Sequence, residues 1–231
     1  ALTSLSLRIQ PGERVALAGP SGSGKTTLLY LLAGILQPDG GQLYIDNRSL
    51  SHLHPGRELS KLVGIIHQQY DLVPHLPVIH NVLAGRLGQW SLFRSLISLV
   101  WPQDRQMALS ELAKLGIADK AQERTSHLSG GEQQRVAIAR VMVQSPSVVL
   151  ADEPVASLDP ARAEDMLRLL TELTTSSGKT LIASMHSPYL IHKYCSRVIG
   201  LRQGQMVFDL PSYDVTETVL GCLYNLNEYP D

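Results

Sequence analysis

Residues 14–32 have the sequence RVALAGPSGSGKTTLLYLL, and this stretch decides the fold. The short apolar run RVALA is typical of a buried strand, and KTTLLYLL is typical of a helix. The loop between them fits the pattern G-x-x-x-x-G-K-[ST], with its fixed positions at Gly19, Gly24, Lys25 and Thr26. A glycine-rich turn with an incidental lysine is the alternative. The strand–loop–helix context favours a phosphate-binding loop instead.

Each part of this loop suits a phosphate chain. Glycines let backbone N–H groups face a β-phosphate at the positive end of a helix dipole. Lys25 supplies a mobile charge for the β and γ oxygens, Thr26 offers a hydroxyl to Mg²⁺, and Thr27 is placed to reach the α-phosphate. The candidate phosphate-binding residues are Gly19, Pro20, Ser21, Gly22, Ser23, Gly24, Lys25, Thr26 and Thr27.

A second chemical feature is the run VVLADE at residues 148–153, an apolar strand that ends in two acids. Asp152 is placed to hold Mg²⁺ through water. Glu153 can face the γ-phosphate and accept a proton from an attacking water. An acid pair at a strand end is by itself usually a solvated turn, but the phosphate loop in the same chain favours the functional interpretation.

Residues 128–140, LSGGEQQRVAIAR, contain a second helix start suited to an anion. Ser129 and Glu132 form the S-x-x-E capping box, so a well-capped helix is the simpler interpretation. That interpretation gives no reason for Gly130 and Gly131, which remove side chains where another group must approach closely. The first-turn N–H groups and the Ser129 hydroxyl would suit a phosphate. Because Lys25 already serves this chain's own nucleotide, the second site points to a nucleotide on another molecule.

The pattern along the chain predicts an α/β fold with a largely parallel sheet covered on both faces. Strands are expected at residues 5–9, 14–19, 41–46, 62–68, 147–151, 180–185 and 197–201. Helices are expected from residue 25 to just before Pro38, through most of 70–145, after Pro160, and at 216–224. We therefore expect one domain over residues 1–231. Its ATP-binding core would be 1–70 and 146–210, with an inserted helical lobe at 71–145 and a tail at 211–231.

Bulk composition limits the class of protein. The 231 residues are 44% hydrophobic and 18% charged, a globular balance. A net charge of −1 without a basic cluster disfavours nucleic acid as a partner. The most apolar window, 91–101, is about half the length that crosses a bilayer, which predicts a soluble protein. Cys195 and Cys222 do not indicate a disulfide framework. No secretory leader is expected, and a start at Ala1 in mid-strand predicts that a short N-terminal piece is missing.

With these motifs the chain resembles the ATP-binding subunit of an ABC transporter over essentially its whole length. The resemblance implies a P-loop NTPase fold of RecA-like type, with a mostly parallel sheet core and an inserted helical subdomain. The phosphate loop corresponds to Walker A, residues 148–153 to Walker B, and residues 128–140 to the family signature. Three further motifs match: the D-loop at Ser157, Leu158 and Asp159, the Q-loop glutamine at Gln68, and the switch histidine at His186.

The resemblance also implies roles for these residues. ATP would be hydrolysed with Glu153, His186 and Gln68 as the catalytic residues. Mg²⁺ would be held by Thr26 and Gln68, and by Asp152 through water. In this family two subunits sandwich two ATP molecules head to tail, so a homodimer is expected. The signature would act in trans on the partner's ATP through Ser129, Gly130, Gly131 and Glu132.

The remaining implications concern partners and cargo. A peripheral position on the cytoplasmic face of the bacterial inner membrane is expected. Permease subunits would meet residues 70–101, and a periplasmic or lipid-anchored binding protein would act indirectly. Residues 81–96, 151–160 and 197–209 are similar to the ATPases of phosphonate importers, whose relatives also move phosphite or phosphate.

Several alternatives stay open. The transporter could import another cargo, such as an amino acid, or could be an exporter of the lipoprotein-release type. ABC ATPases of DNA repair and of ribosomes usually have a long coiled coil or a second fused ATPase domain, and this chain shows neither. A nucleotide-binding regulator without turnover is disfavoured because Glu153, Gln68 and His186 are all present.

Two positions depart from the family pattern. Family members carry an aromatic residue upstream of the first strand that stacks on adenine. The chain begins too late to show one, which leaves base stacking unassigned. His186 is followed by Ser187 and Pro188, where an acid or amide is common, and this predicts a change in the following helix.

Overall fold

The computed structural model describes residues 2–53, 56–100, 103–156 and 158–224. The strands are β1 Arg14–Ala18, β2 Tyr44–Ile45, β3 Arg48–Ser49, β4 Val63–Ile66, β5 Val148–Ala151, β6 Thr180–Ser184, β7 Arg197–Arg202 and β8 Gln205–Pro211. The α-helices are α1 Lys25–Leu32, α2 Leu59–Leu62, α3 Val78–Leu83, α4 Leu92–Val100, α5 Arg105–Lys114, α6 Gly130–Gln144, α7 Pro160–Ser176, α8 Pro188–Tyr194 and α9 Glu217–Tyr224. Short 3₁₀ helices lie at Leu50–His52, Ala84–Gln89, Ala118–Lys120, Thr125–His127 and Ser212–Asp214.

The main sheet has the strand order β4-β5-β6-β1-β7-β8. Its strands pair in parallel except β8, which runs antiparallel to β7. In the centre of the sheet, Val15 pairs with Ile182 on one side and Arg197 on the other. Because parallel strands end at the same edge, the segments that follow β1, β4, β5 and β6 meet there, where ligands bind in open α/β sheets.

The alternation along β1 buries both faces of the sheet. Val15 and Leu17 belong to one buried cluster, which also contains Leu28 and Leu29 of α1. Ala16 and Ala18 belong to a second cluster, which contains the apolar faces of α6 and α7. Successive side chains of a strand point to opposite faces, so the short apolar run places helices on both sides of the sheet.

The predicted helical stretch between β4 and β5 is confirmed by α3, α4, α5 and α6. Ser129 caps α6, and the helix stops where Ser145 adopts a φ of 54° ahead of Pro146. Proline disfavours the helical conformation of the residue before it, which explains why α6 ends at Gln144. The helix after His186 also forms: Pro188 occupies the first turn of α8, and Ser187 accepts a hydrogen bond from Leu190 N. In the tail, α9 confirms the predicted helix, while residues 225–231 lie outside the described part of the chain.

Three sequence predictions need correction. Residues 5–9 alternate between half-buried and exposed as a strand would, but they have no strand assignment. Their apolar side chains pack on the cluster around Leu17, while the Arg8 carbonyl accepts from the side chain of Arg197. The side chains of residues 5–9 therefore alternate in burial although their backbone is not paired with a neighbouring strand. The helix from residue 25 ends at Leu32, because Gly34 adopts a φ of 68° and turns the chain.

The third correction concerns the strand expected at 41–46. Only Tyr44–Ile45 pairs, and it pairs with Arg48–Ser49 in a separate hairpin and not in the main sheet. Asp46 and Asn47 both have positive φ angles, 49° and 60°, as a two-residue hairpin turn of the primed type requires. The sequence analysis also missed β8, whose exposed residues gave no strong strand pattern.

Among the described residues, no helix is both long and apolar enough to span a membrane. The most apolar window of the sequence, 91–101, forms α4, and Trp101 at its end lies outside the described residues.

Candidate functional site

The phosphate loop connects the carboxyl end of β1 to α1. Gly19, Gly22 and Gly24 have positive φ angles of 148°, 78° and 106°. A Cβ on Gly19 would lie 2.1 Å from the carbonyl oxygen of Leu201 in β7, so the packing of the loop against the sheet requires glycine. Gly24 precedes α1 and supplies no side-chain cap. The first N–H groups of α1 therefore remain open to an anion.

The other loop residues complete the cradle. Pro20 and Ser21 form the turn with Gly22, and Thr27 lies half-buried on the first turn of α1. Ser23 is buried, and its hydroxyl has no hydrogen-bond partner among the residues that the structure describes. A buried hydroxyl of this kind normally finds a partner, so Ser23 is an exception within the loop.

Lys25 lies folded back into the loop. Its Nζ donates to the carbonyl oxygens of Gly19 at 2.8 Å and Pro20 at 3.0 Å, and the side chain is 6% exposed. Burial lowers the pKa of Lys25, and the negative charges of Glu153 and Asp152 oppose that shift. A buried ammonium group that has only carbonyl partners is well placed to favour an incoming anion.

The two acids at the end of β5 are brought to this loop as predicted. Thr26 Oγ1 donates to Asp152 Oδ1 at 3.3 Å, and Ser184 Oγ donates to the same carboxylate oxygen at 2.8 Å. Ser184 also accepts from the backbone N–H of Glu153 at 2.6 Å. The sequence analysis missed Ser184. Its position at the end of β6, next to β5, was the only available signal.

Glu153 is the meeting point of three strand ends. Its Oε1 lies 2.8 Å from His186 Nε2, and its Oε2 accepts from Gln68 Nε2 at 3.3 Å. His186 follows β6 and Gln68 follows β4, the two strands that flank β5 in the sheet. Gln68 therefore contacts Glu153, and no hydrogen bond of the described residues joins it to Asp152 or Thr26.

The signature lies at the start of α6 and forms the predicted capping box. Ser129 N donates to Glu132 Oε2 at 2.8 Å, and Glu132 N donates to Ser129 Oγ at 3.4 Å. The Ser129 hydroxyl also donates to Glu132 Oε2 at 2.8 Å, and these bonds to Ser129 lower the pKa of Glu132. A Cβ on Gly130 or Gly131 would meet nothing within 4 Å. Within the described ranges, no hydrogen bond joins these four residues to the phosphate loop.

The D-loop residues are only partly described, since Ser157 lies outside the described residues. Leu158 is half-buried against the core. Asp159 caps α7 by accepting from Arg162 N at 3.1 Å. In this chain Asp159 thus has a clear structural role as a helix cap.

The second residue that sequence reasoning missed is Tyr224, at the end of α9. Its hydroxyl accepts from Gly19 N at 3.3 Å and lies 3.5 Å from His186 Nδ1. The tail thereby reaches the phosphate loop. A tyrosine so far along the chain from both residues carries no motif that could have revealed this contact.

Comparisons with known proteins identify the family. The family model described as ABC transporter matches residues 2–156. The chain is 46% identical over 226 residues to the phosphonates import ATP-binding protein PhnC of Pseudomonas putida, covering 97% of this chain and 84% of the relative. It is 42% identical over 231 residues to the protein of the same name from Stutzerimonas stutzeri, again covering 97% and 84%.

Solved structures show the same likeness. One is the dimeric post-hydrolysis state of the ATP-binding cassette MJ0796 bound to ADP and Pi, with a TM-score of 0.77 and 31% identity over 91% of this chain and 90% of that one. Another is the ADP conformation of MJ1267, an ATP-binding cassette of an ABC transporter, with a TM-score of 0.80 and 25% identity over 96% and 87%. The chain therefore belongs to the ABC transporter family, as one of its ATP-binding proteins.

Proposed function

We propose that this ATPase works as one of two identical subunits that power an importer of phosphonate or a related phosphorus oxyanion. One observation carries the catalytic part of the proposal. Glu153 lies at a strand end beside the phosphate loop, with His186 and Gln68 both on its carboxylate. A carboxylate held on both oxygens at this edge of the sheet is placed to act on a water beside a bound phosphate chain.

The phosphate loop would hold the ATP phosphates. The N–H groups at the start of α1 would bind the β-phosphate, and Lys25 would exchange its bonds to Gly19 and Pro20 for bonds to phosphate oxygens. Thr27 would contact the α-phosphate from the first turn of α1.

The donor set at the end of β5 suits Mg²⁺. Thr26 Oγ1 and Asp152 Oδ1 come within 3.3 Å of each other, and hydroxyl and carboxylate oxygens are ligands that Mg²⁺ prefers. Thr26 would bind the ion directly, Asp152 would hold it through water, and Gln68 would complete the set after leaving Glu153. When bound, Mg²⁺ neutralises charge that develops on the β and γ oxygens.

Glu153 would accept the proton of the attacking water. Its backbone has a φ of 47°, uncommon for a residue with a side chain, and its N–H donates to Ser184 Oγ. This conformation aims the carboxylate out of the strand toward His186. Uncommon backbone angles of this kind concentrate at functional sites, which supports the assignment of the general base.

The signature supports a two-chain site. Ser129 is exposed, and added Cβ atoms on Gly130 and Gly131 would meet nothing in their own chain. The fold of one chain therefore gives no reason for either glycine. A second copy in a two-fold symmetric dimer would supply that reason, since its ATP phosphates could approach this helix start. We also propose the division of the chain that the sequence predicted. It has a core at 1–70 and 146–210, a lobe at 71–145 and a tail at 211–231.

Permease subunits would bind the lobe. On α4, Leu92, Phe93 and Leu96 are 86%, 75% and 66% exposed, an apolar face that a membrane-embedded partner would cover. A cavity of about 360 Å³ lies between β4, the 3₁₀ helix Ala84–Gln89 and α6. The subunit would then sit peripherally on the cytoplasmic face of the inner membrane. A periplasmic or lipid-anchored binding protein would act through the permease, without nucleic acid.

Replacement of Glu153 by Gln tests the catalytic proposal. We expect Glu153→Gln to keep ATP binding and to lower the rate of hydrolysis by about 10²–10⁴-fold, the usual contribution of a general base. Lys25→Ala should instead weaken ATP binding itself, measured with a fluorescent nucleotide. Glu172→Gln, which changes an exposed carboxylate paired with Arg168 on α7, is the matched control and should hydrolyse ATP normally. Hydrolysis at the parental rate by Glu153→Gln would overturn the role of the general base.

The cargo proposal rests on the similarity of the chain to phosphonates import ATP-binding proteins, and on the similarity of residues 81–96 and 151–160 to the ATPases of such importers. The transporter would be reconstituted in vesicles with its permease and binding protein. Phosphonate, phosphite or phosphate should stimulate ATP hydrolysis. Stimulation only by amino acids, sugars or metal chelates would refute the cargo and leave the ATPase function intact.

A further inference from the structure

The C-terminal helix α9 places Tyr224 between the phosphate loop and His186. Leu220 and Leu223 of α9 are buried at 4% and 1% exposure, and they anchor the helix on the core. The ring of Tyr224 lies with its centroid 6.5 Å from that of His186 at an interplanar angle of 50°. The tyrosine is thus fixed by packing and not only by its hydroxyl.

The hydrogen bonds around Tyr224 have a defined direction. The backbone N–H of Gly19 can only donate, so the tyrosine oxygen accepts from it at 3.3 Å. The hydroxyl proton remains available, and His186 Nδ1 is 3.5 Å away. When Tyr224 donates to Nδ1, the imidazole proton must be on Nε2, because neutral imidazole has one donor and one acceptor nitrogen.

The other side of the imidazole agrees with this direction. His186 Nε2 lies 2.8 Å from Glu153 Oε1, and an ionised carboxylate only accepts. Nε2 must therefore carry a proton to make this bond. With the imidazole proton on Nε2, each donor in the series meets an acceptor. Gly19 N donates to the Tyr224 oxygen, the Tyr224 hydroxyl donates to His186 Nδ1, and His186 Nε2 donates to Glu153 Oε1.

Tyr224 also keeps its proton. Burial raises the pKa of Tyr224, the charge of Glu153 adds to that shift, and the bond from Gly19 N opposes it. The hydroxyl therefore remains a donor at neutral pH.

We propose that Tyr224 is a positioning residue that fixes the tautomer of His186 with the proton on Nε2, toward Glu153 and the site of hydrolysis. The inference rests on the proposed role of His186 in turnover and extends the active site to α9. It gives α9 a part in catalysis, since a displacement of α9 would release the histidine from this tautomer.

Kinetics of Tyr224→Phe in the full chain provide the first test. This variant removes the hydroxyl and keeps the ring. We expect kcat for ATP hydrolysis to fall about 3- to 10-fold, the range for one neutral hydrogen bond. KM for ATP should change less than about twofold, since Tyr224 bonds within the phosphate loop to Gly19 N, and neither to Lys25 nor to the N–H groups at the start of α1. Tyr213→Phe is the matched control, because Tyr213 is 79% exposed on the preceding 3₁₀ helix, and it should match the parent.

The second test reads the tautomer directly and does not depend on turnover. The ¹⁵N signals of His186, identified by their absence in His186→Gln, should show the proton on Nε2 in the parental protein. In Tyr224→Phe they should show a mixture of both tautomers. A parental His186 with its proton on Nδ1 would overturn the proposal even if Tyr224→Phe did not fold. An unchanged tautomer together with an unchanged kcat in a folded Tyr224→Phe would overturn it as well.

These outcomes separate the inference from the proposed function. If Glu153→Gln hydrolysed ATP at the parental rate, the assignment of Glu153 as general base would be wrong. The tautomer of His186 would still decide whether Tyr224 positions the histidine. If Glu153→Gln lost activity and Tyr224→Phe changed neither kcat nor the ¹⁵N signals, only the positioning role would fail.

Discussion

At the scale of single residues, burial gives the two cysteines different chemistry. Cys195 follows α8 and is 5% exposed, and its thiol lies 3.6 Å from the Met185 sulfur. Burial raises the pKa of Cys195 to about 12, although Arg14 opposes the shift. Cys222 is exposed on α9. The thiolate is the reactive form of cysteine, so only the exposed residue is accessible to a reagent in the folded protein.

Thiol labelling at pH 8 tests this difference. We expect the folded protein to react quickly at Cys222, and to react at Cys195 only after denaturation. The Cys222→Ser variant should lose the fast reaction and keep the slow one. Rapid labelling of Cys195 in the folded protein would show that its burial is not as described.

Gln68 and His186 were expected from the family resemblance, whereas the site residues that the local pattern predicted have a spacing fixed by one turn. The segment from Gly19 to Thr26 is such a turn, and so is the acid pair after β5. Ser184 and Tyr224 could not be predicted, because each reaches the site from a distant element through tertiary packing. The left-handed backbone of Glu153 was equally hidden, since a glutamate gives no signal for a positive φ.

At the scale of elements, Asn81 of α3 links the segment before α3 to the 3₁₀ helix Thr125–His127 by hydrogen bonds. Val73 N donates to Asn81 Oδ1 at 2.7 Å, and Asn81 Nδ2 donates to Val73 O at 3.0 Å and to Thr125 Oγ1 at 2.8 Å. Thr125 in turn donates to Leu76 O at 3.1 Å. Asn81 and Thr125 are each 2% exposed, so water cannot replace a bond lost between these two side chains.

Truncation of this side chain should destabilise the protein. We expect Asn81→Ala to lower the free energy of unfolding by about 1–3 kcal/mol, because it removes the two bonds to the Val73 backbone and takes the Asn81 donor away from the buried Thr125 hydroxyl. Urea denaturation followed by circular dichroism measures the change. His80→Ala, one residue earlier and only half-buried, should cost less than about 1 kcal/mol. Equal losses in the two variants would contradict a special role for Asn81.

Elements were predictable where a local pattern and the tertiary structure agree. The sequence predicted β1, α6 and α7, since caps and apolar periodicity mark them directly. It failed at residues 5–9 and 41–46, where strand-like alternation was present but the decisive backbone partners are set by the rest of the fold. Pairing in a sheet is a tertiary property, so alternation alone cannot assign it.

At the scale of the whole molecule, one chain contains one half of each of two sites. The phosphate loop and Glu153 form one half, and the exposed start of α6 at Ser129 forms the other. Within one chain, no hydrogen bond of the described residues joins the two halves. A two-fold symmetric dimer would complete both sites at once, each from the phosphate loop of one subunit and the signature of its partner.

Hydrolysis by two linked hybrid dimers tests this claim most directly. In the first hybrid, Lys25→Ala and Ser129→Arg lie on the same chain and the partner is parental. Both composite sites are then damaged, and we expect phosphate release to be lost. In the second hybrid, one chain carries Lys25→Ala and the other Ser129→Arg, so both changes meet in one site and the other stays whole. We expect this dimer to retain activity. The reverse pattern, with activity only in the first hybrid, would show that each chain works alone and would contradict the account.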